Sequence, residues 1–335
     1  MAVQLNVGTL VQPTTLAQYK AKSVPLPPKL FSHNDQQSVW QSSSPEGSIS
    51  GWGGRMGDVA LANNGSAVFS CISVTGNAVF VSGKTAVQYQ VSPNGAVAIN
   101  GLKTKVYGSS AVGSALQSLI TQPSTQTLEN EHAKITARSI SAEGQVSSAL
   151  AGVAPLTTPF TPDNPLANQL QMVAKLIAAR NTLGAKRQVY FVSMGGFDLH
   201  DNLPEQHPGL LTNIADALKS FYDATVELGI SNNVTAFTAS DFGRTLASNG
   251  DGADHGWGSH HFVVGGAVKG KEFYGKAPAT AVNGDEDVGQ GRLLPTTSVD
   301  QFAATLATWF GVSNTELDLV VPNIKNYSLK NMGFV

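Results

Sequence analysis

The strongest constraint on the fold is a strand, helix, strand run between Gln188 and Ala239. Gln188–Ser193 (QVYFVS) and Val234–Ala239 (VTAFTA) are short apolar runs of strand type. Between them Leu211, Ile214, Leu218 and Phe221 recur at helical spacing, with Pro208 placed to open the helix and Gly229 just past its end. Two strands joined by a helix over short links imply parallel pairing through a right-handed crossover. Another helix precedes the first strand, with Asn164 as N-cap, Pro165 at its first position, Leu166, Leu170, Val173 and Ile177 on one face, and Gly184 closing it. Near the C-terminus Ser298 and Gln301 form a capping-box pattern. Phe302, Leu306, Trp309 and Phe310 supply an apolar face, and Gly311 ends it. The expectation is a doubly wound α/β fold: a mostly parallel sheet with helices on both faces.

The remaining segments fit around that frame as one domain over 1–335, a length ample for a large core. Ala67–Val91 reads as short strands turning at Gly76 and Ser82-Gly83, a hairpin at a sheet edge. Residues 109–151 look helical but weakly apolar, as in a peripheral insertion. The loop from Gly275 to Thr297 is long and polar, with Asp285-Glu286-Asp287 expected in solvent. VQLNVGTLV reads as a buried strand within the first residues, as though the chain began partway through a domain. The opening has neither the basic region nor the apolar core of a signal peptide, and no stretch is built to span a bilayer. A net charge of −2 provides no basic field for nucleic acid and no polybasic membrane patch. The single cysteine, Cys71, excludes an internal disulfide and a thiolate-rich metal site, and its apolar surroundings mark a buried thiol.

The chemistry gathers where the strands end. QVYFVS runs into Met-Gly-Gly-Phe-Asp198-Leu-His200, and VTAFTA into Ser240-Asp241-Phe242-Gly243-Arg244. Asp254-His255-Gly256-Trp257-Gly258-Ser259-His260-His261 follows. Of seven histidines, five lie between 200 and 261, too dense a grouping for chance in this chain. In open α/β sheets ligands bind beyond the carboxyl ends of the strands. Carboxylate with imidazole and no thiolate is the ligand set of catalytic zinc, or of manganese and related ions. Arg244 is placed to meet an anionic substrate. Each residue also has a plainer role: Asp241 as a helix cap, Asp198 with His200 as a loop pair, His207 as part of a helix start. His260 and His261 should alternate in and out, so at most one faces the site. A second cluster, Ser32-His33-Asn34-Asp35-Gln36-Gln37 with Trp40 and Gly51-Trp52-Gly53-Gly54-Arg55, can add His33 and Asp35 to the site and Arg55 as a second anion contact. The G-x-S-x-G elbow, H-E-x-x-H, Walker loop and G-x-G-x-x-G are missing, which argues against a serine esterase, a zincin, an NTPase and a dinucleotide enzyme.

SHNDQQ with Trp40, GWGGR, GGFDLH, SDFGR, DHGWGSHHF, and GGAVKG followed by YG occur in that order along nearly the whole chain. In these motifs the chain resembles the DUF1501 family, bacterial proteins placed in the alkaline phosphatase/sulfatase superfamily. The resemblance implies an alkaline phosphatase-like domain holding one or two divalent metals, zinc first, with manganese or calcium as alternatives. Asp198, His200, Asp241, Asp254 and His255 are the ligands it implies. It also implies hydrolysis of phosphate or sulfate esters on an anionic small-molecule or polymer substrate, in a periplasmic or secreted protein of the twin-arginine type. Thr14 or Thr15 holds the topological place of the superfamily's nucleophile, though both also fit as N-cap threonines. His33 and Arg244 join the catalytic candidates, and Arg55, Arg244 and His260 the substrate contacts. Phe242 stands where the superfamily carries a metal-binding histidine. The family's export signal and Gly-Gly-Asn-Asp first strand are not seen here. The alternative is a non-catalytic exported surface or binding protein with a degraded site.

Overall fold

The computed structural model describes residues 1–335. Its strands in chain order are β1 (Ala2–Gly8), β2 (Cys71–Ser73), β3 (Tyr89–Ser92), β4 (Gly95–Ala96), β5 (Val189–Phe191), β6 (Thr235–Phe237), β7 (Arg244–Ser248), β8 (Ala253–His255), β9 (Ser259–Gly265), β10 (Phe273–Tyr274) and β11 (Thr297–Ser298). One sheet has the order β10-β1-β9-β6, with β11 also paired to β1; a second runs β4-β3-β2-β5; β7 and β8 form a separate ribbon. The opening apolar run VQLNVG is thus the centre of a sheet. It takes β9 on one side and β10 and β11 on the other.

The sheets are mixed rather than mostly parallel. β1 is parallel to β10 and β11, and β2 to β3 and β5, while β1–β9, β6–β9, β3–β4 and β7–β8 are antiparallel. The expected crossover does not join β5 to β6. β5 pairs with β2, and β6 with β9, so the strand, helix, strand path steps from one sheet to the other. Periodicity identifies strands but carries no information about which long-range partner wins. Ala67–Val91 departs from the hairpin expectation for the same reason. β2 and β3 lie parallel, joined by a crossing segment that includes a 3-10 turn at Val79–Val81.

Helices do cover both faces. Along β2, Cys71 enters a cluster of 29 buried residues, whereas its neighbour Ile72 enters another of 20. Along β6 Ala236 faces the second cluster and Phe237 the first. This is the period-two alternation of a sheet buried on both sides. The first cluster holds Trp52 and Met56 of the helix Trp52–Ala60, and Phe302 and Leu306 of the helix Val299–Phe310. The second holds Leu170, Val173 and Ile177 of the helix Pro165–Ala178, with Phe221 of Leu203–Glu227. Cys71 is fully buried, and burial pushes its thiol pKa up to about 12.

The helix signals hold at Asn164 and at Ser298 with Gly311, but the helix begun at Pro165 ends at Ala178, with Ala179 as its C-cap, well before Gly184. Asn164 Oδ1 accepts from the Leu166 and Ala167 amides at 3.0 and 3.2 Å. Ser298 and Gln301 close a complete capping box, and Gly311 ends that helix at φ +105°. Pro208 does not open its helix, which starts at Leu203 and carries Pro208 inside it. Pro204, in the first turn, takes the position where a missing N–H costs nothing. The insertion is helical as expected, over Ser110–Thr121 and Thr127–Ala151, anchored through Ala142, Val146 and Ala149. Asp287 is buried rather than solvated, because its carboxylate accepts from the Asn283, Gly289 and Gly291 amides and organises its loop.

Candidate metal centre

Three segments converge at one place. The first is the loop after β5 that carries Asp198 and His200. The second is the turn after β6 that leads into the β7–β8 ribbon. The third is the N-terminus of the helix His33–Ser42. Backbone bonds staple the loop to the ribbon: the Ala253 amide donates to Leu199 O at 3.1 Å, and the Leu203 amide to Asp251 O at 2.9 Å. Glycine makes this approach possible. A Cβ on Gly252 would sit 2.1 Å from the His200 carbonyl oxygen, and one on Gly256 would sit 2.7 Å from that of Arg244.

The Asp198 carboxylate is the hub. Its Oδ1 lies 3.1 Å from His200 Nε2 and 3.2 Å from His255 Nε2, and its Oδ2 lies 3.1 Å from His33 Nε2. His200 Nε2 and His255 Nε2 are themselves 3.0 Å apart. The far nitrogen of each ring faces an acceptor. His33 Nδ1 is 2.9 Å from Asp241 Oδ2, His255 Nδ1 is 2.7 Å from the Phe31 carbonyl, and His200 Nδ1 is 3.3 Å from Asp254 Oδ1. A carbonyl or carboxylate can only accept, so in a neutral ring each Nδ1 carries the proton and each Nε2 presents a lone pair. The His200 and His255 lone pairs then face each other, and all three face the Asp198 carboxylate. That arrangement repels itself unless a cation or an extra proton sits among them. Orienting acceptors behind imidazoles are also the usual second layer around a metal ion. The residues fit a divalent metal: ligand atoms of His33, Asp198 and His255 all lie within 4.8 Å of one another.

Charge reinforces the pattern. Burial alone would lower the pKa of His33, but its hydrogen bonds to Asp241 and Asp198, with their charges, hold it above the usual value. Burial would raise Asp198, yet the Arg244 guanidinium, donating from Nη1 at 2.6 Å, and the adjacent His33 hold it below the ordinary carboxylate range. Asp254 is held down chiefly by the Asn249 amide, which donates at 3.0 Å, and then by His200. Phe242 packs at a tilt against the site, its ring 4.7 Å from His33 and 4.5 Å from His255. It forms an apolar wall beside the imidazoles.

The sequence candidates separate into three groups. Asp198, His200, His255 and His33 meet at the centre. Asp241 and Asp254 stand one layer back, each behind a histidine. Arg244 stands with this layer, on Asp198, and the others lie elsewhere. Thr14 donates its hydroxyl to the Gln12 carbonyl, and Thr15 is the N-cap of the helix Leu16–Ala21. Arg55 is spent on the carbonyls of Val320, Ser50 and Ser42, which leaves no fork for a substrate. Asp35 is buried and accepts from Ser32 Oγ at 2.8 Å. His260 takes the Asn6 amide on Nδ1 at 3.0 Å, while His261 turns into the core beside Trp40 and Phe302. His207 packs on Phe197, and His132 is exposed on the insertion.

Two features had no readable signal in the sequence. The Phe31 carbonyl that orients His255 is a backbone atom. Arg292, from the long polar loop Gly275–Thr297, donates through Nε to the His255 carbonyl at 2.8 Å and lies over the Phe31 ring at 4.5 Å. Among known families, the one described as "Protein of unknown function (DUF1501)" matches residues 3–318. No curated protein and no solved structure matches the chain.

Proposed function

Since the chain belongs to the DUF1501 family, whose description assigns no activity, we propose from the site's chemistry that it is a metal-dependent hydrolase of phosphate or sulfate esters. The observation that carries the reading is the convergence of three imidazole Nε2 atoms on Asp198, each ring locked from behind by an acceptor. Three nitrogens and one carboxylate suit zinc, with the carboxylate and histidines also acceptable to manganese. When bound, such an ion supplies Lewis acidity to an ester oxygen and acidifies water.

The chain's own groups account for the rest. Arg244 holds Asp198 in place through Nη1 and donates through Nη2 to the Ala253 carbonyl, with its Nε buried. No protein acceptor engages the Nη groups of Arg292. Arg292 therefore flanks the cluster with donors to spare for a phosphoryl or sulfuryl oxygen, and Arg244 adds its charge beside Asp198. No serine or threonine hydroxyl contacts the cluster: Ser240 Oγ donates to the Phe242 carbonyl and Thr14 to Gln12. This supports water rather than a side-chain hydroxyl as the attacking group. Phe242 screens one side of His33 and His255 from solvent. Kinship with the alkaline phosphatase/sulfatase superfamily and an exported location belong to the same proposal and rest on the motifs.

Elemental analysis of the purified chain, paired with a panel of aryl phosphates and sulfates, tests this reading. About one zinc per chain is expected, with turnover that chelator removes and that Asp198→Ala abolishes. Arg292→Ala should raise KM with the metal retained. A chain that takes up no divalent metal and turns over none of the esters ends the proposal. Metal uptake without turnover supports the rival, a binding protein that keeps the metal site.

A further inference from the structure

We propose that the chain carries a second site, separate from the metal centre, for a short neutral oligosaccharide in the groove between the helical insertion and the segment 77–97. A cavity of about 470 Å³ lies there, lined by Asn77, Ser82, Gln88, Tyr89, Gln90 and Ser139 among others. A smaller one of about 140 Å³ shares Val97 and Ser139 with it, so the two form one elongated groove. The larger falls within the usual range for small-ligand pockets.

Its lining selects the ligand class. No charged side chain lines the larger cavity. The charges in the smaller one, Lys103 and Glu143, neutralise each other at 2.7 Å. An ionic ligand therefore has no counter-charge to meet. What the cavity offers instead is a preset array of amides. Asn77 Oδ1 accepts from Gln88 Nε2 at 3.0 Å and also from Gln90 Nε2, and Gln88 Oε1 accepts from the Ala78 amide at 3.0 Å. This network fixes the rotamers and leaves the Asn77 Nδ2 donors, the Gln90 Oε1 acceptor and the Ser139 hydroxyl without protein partners. Donors and acceptors held side by side match vicinal hydroxyls, each of which both donates and accepts. Apolar Ala78, Val79 and Val97 between them suit the C–H faces of a sugar ring.

A peptide is the less suitable occupant. Peptides are usually captured by adding a strand to a free sheet edge. The sheet beside the groove ends in β4, a strand of only two residues (Gly95–Ala96), too short an edge to hold a peptide by strand addition. Recognition must come from side chains. The groove's position is also informative. Thr75 and Asn77 follow the carboxyl end of β2, and Ser193 Oγ, at the end of β5, donates to Thr75 Oγ1 at 3.0 Å. Asn77, on one wall of the groove, thus follows the same end of the sheet as the loop that carries Asp198. The groove shares no residue with the Asp198 cluster, so binding there needs no metal.

Titration calorimetry on the intact chain, with maltotetraose, cellotetraose and chitotetraose as probes and acetylated tetraalanine amide as control, tests the site. At least one tetrasaccharide should bind, and Asn77→Ala or Gln90→Ala should weaken it by about tenfold. Ser139→Phe, a change on an exposed helix face, should fill the groove and abolish binding while thermal melting stays unchanged. Asp198→Ala should leave binding intact, which separates this site from the ester-hydrolase reading. Failure of all three sugars to bind, equal binding by Ser139→Phe, or preference for the peptide overturns the assignment.

Discussion

Asp241 offers the sharpest test of the two-layer reading, because it touches no other member of the cluster except through His33. Its Oδ2 sits 2.9 Å from His33 Nδ1, with the carboxylate side chain 28% exposed. In Asp241→Ala the ring loses the acceptor that fixes its tautomer, and Nε2 then carries the proton for part of the time. A charge-assisted hydrogen bond of this kind is worth roughly 1.5–3 kcal/mol when well shielded, and partial exposure places this one toward the lower figure. Metal affinity should therefore fall about 10- to 30-fold, within the range seen for lost orienting partners. Asp241→Asn keeps an amide oxygen as acceptor but not the charge, so its loss should be smaller, about threefold. Competition with a chromophoric zinc chelator at fixed pH measures all three proteins. Wild-type affinity in Asp241→Ala, alongside complete loss in His33→Ala, would refute the claim that the carboxylate sets the ring's tautomer. A loss in Asp241→Ala as complete as in His33→Ala would instead make Asp241 a direct ligand.

Other consequences follow from burial and from close approach. His261 is buried among Trp40 and Phe302, and burial, helped by His260, pushes its pKa down to about 4 from 6.5. The unfolded chain then binds the extra proton between these values, so this contribution is complete above pH 6.5 and is lost as pH falls toward 4. The difference corresponds to roughly 3 kcal/mol. His261→Phe should remove that part of the acid-side drop in Tm, and equal pH dependence in variant and wild type would contradict it. Gly252→Ala forces a Cβ against the His200 carbonyl. It should cost about 1–3 kcal/mol and weaken metal binding by moving His200, whereas an unchanged melt and affinity would show that the loop yields freely.

The sequence revealed local structure better than pairing. The Asn164-Pro165 start and the Ser298, Gln301 and Gly311 signals are contacts within one turn of chain, so spacing alone specifies them. The partners of β5 and β6 depend on competition among distant strands, and β9 entering beside β1 was not written in either motif. The site divides in the same way. Density and position exposed Asp198, His200, Asp241, His255 and, from the SHNDQQ run, His33. Which carboxylate stands in front of the histidines and which behind is decided by differences of a few ångströms. Arg55 shows the opposite error: a glycine-flanked arginine reads as an anion contact until its guanidinium is found filling carbonyls at a helix junction.

Cys71 has a practical consequence. A thiol with no exposure and a pKa pushed up to about 12 cannot react from the native state. It lies between β3 and β5 beneath the helix Trp52–Ala60, so a reagent reaches it only after that packing opens. Alkylation of this one atom therefore works as a single-channel clock on the opening of the core. With excess reagent, the labelling rate should track denaturant just as the unfolding rate does. Adding zinc should slow labelling if the proposed metal site belongs to the same cooperative unit. Rapid labelling in native buffer would show that the helix lifts without the rest of the fold.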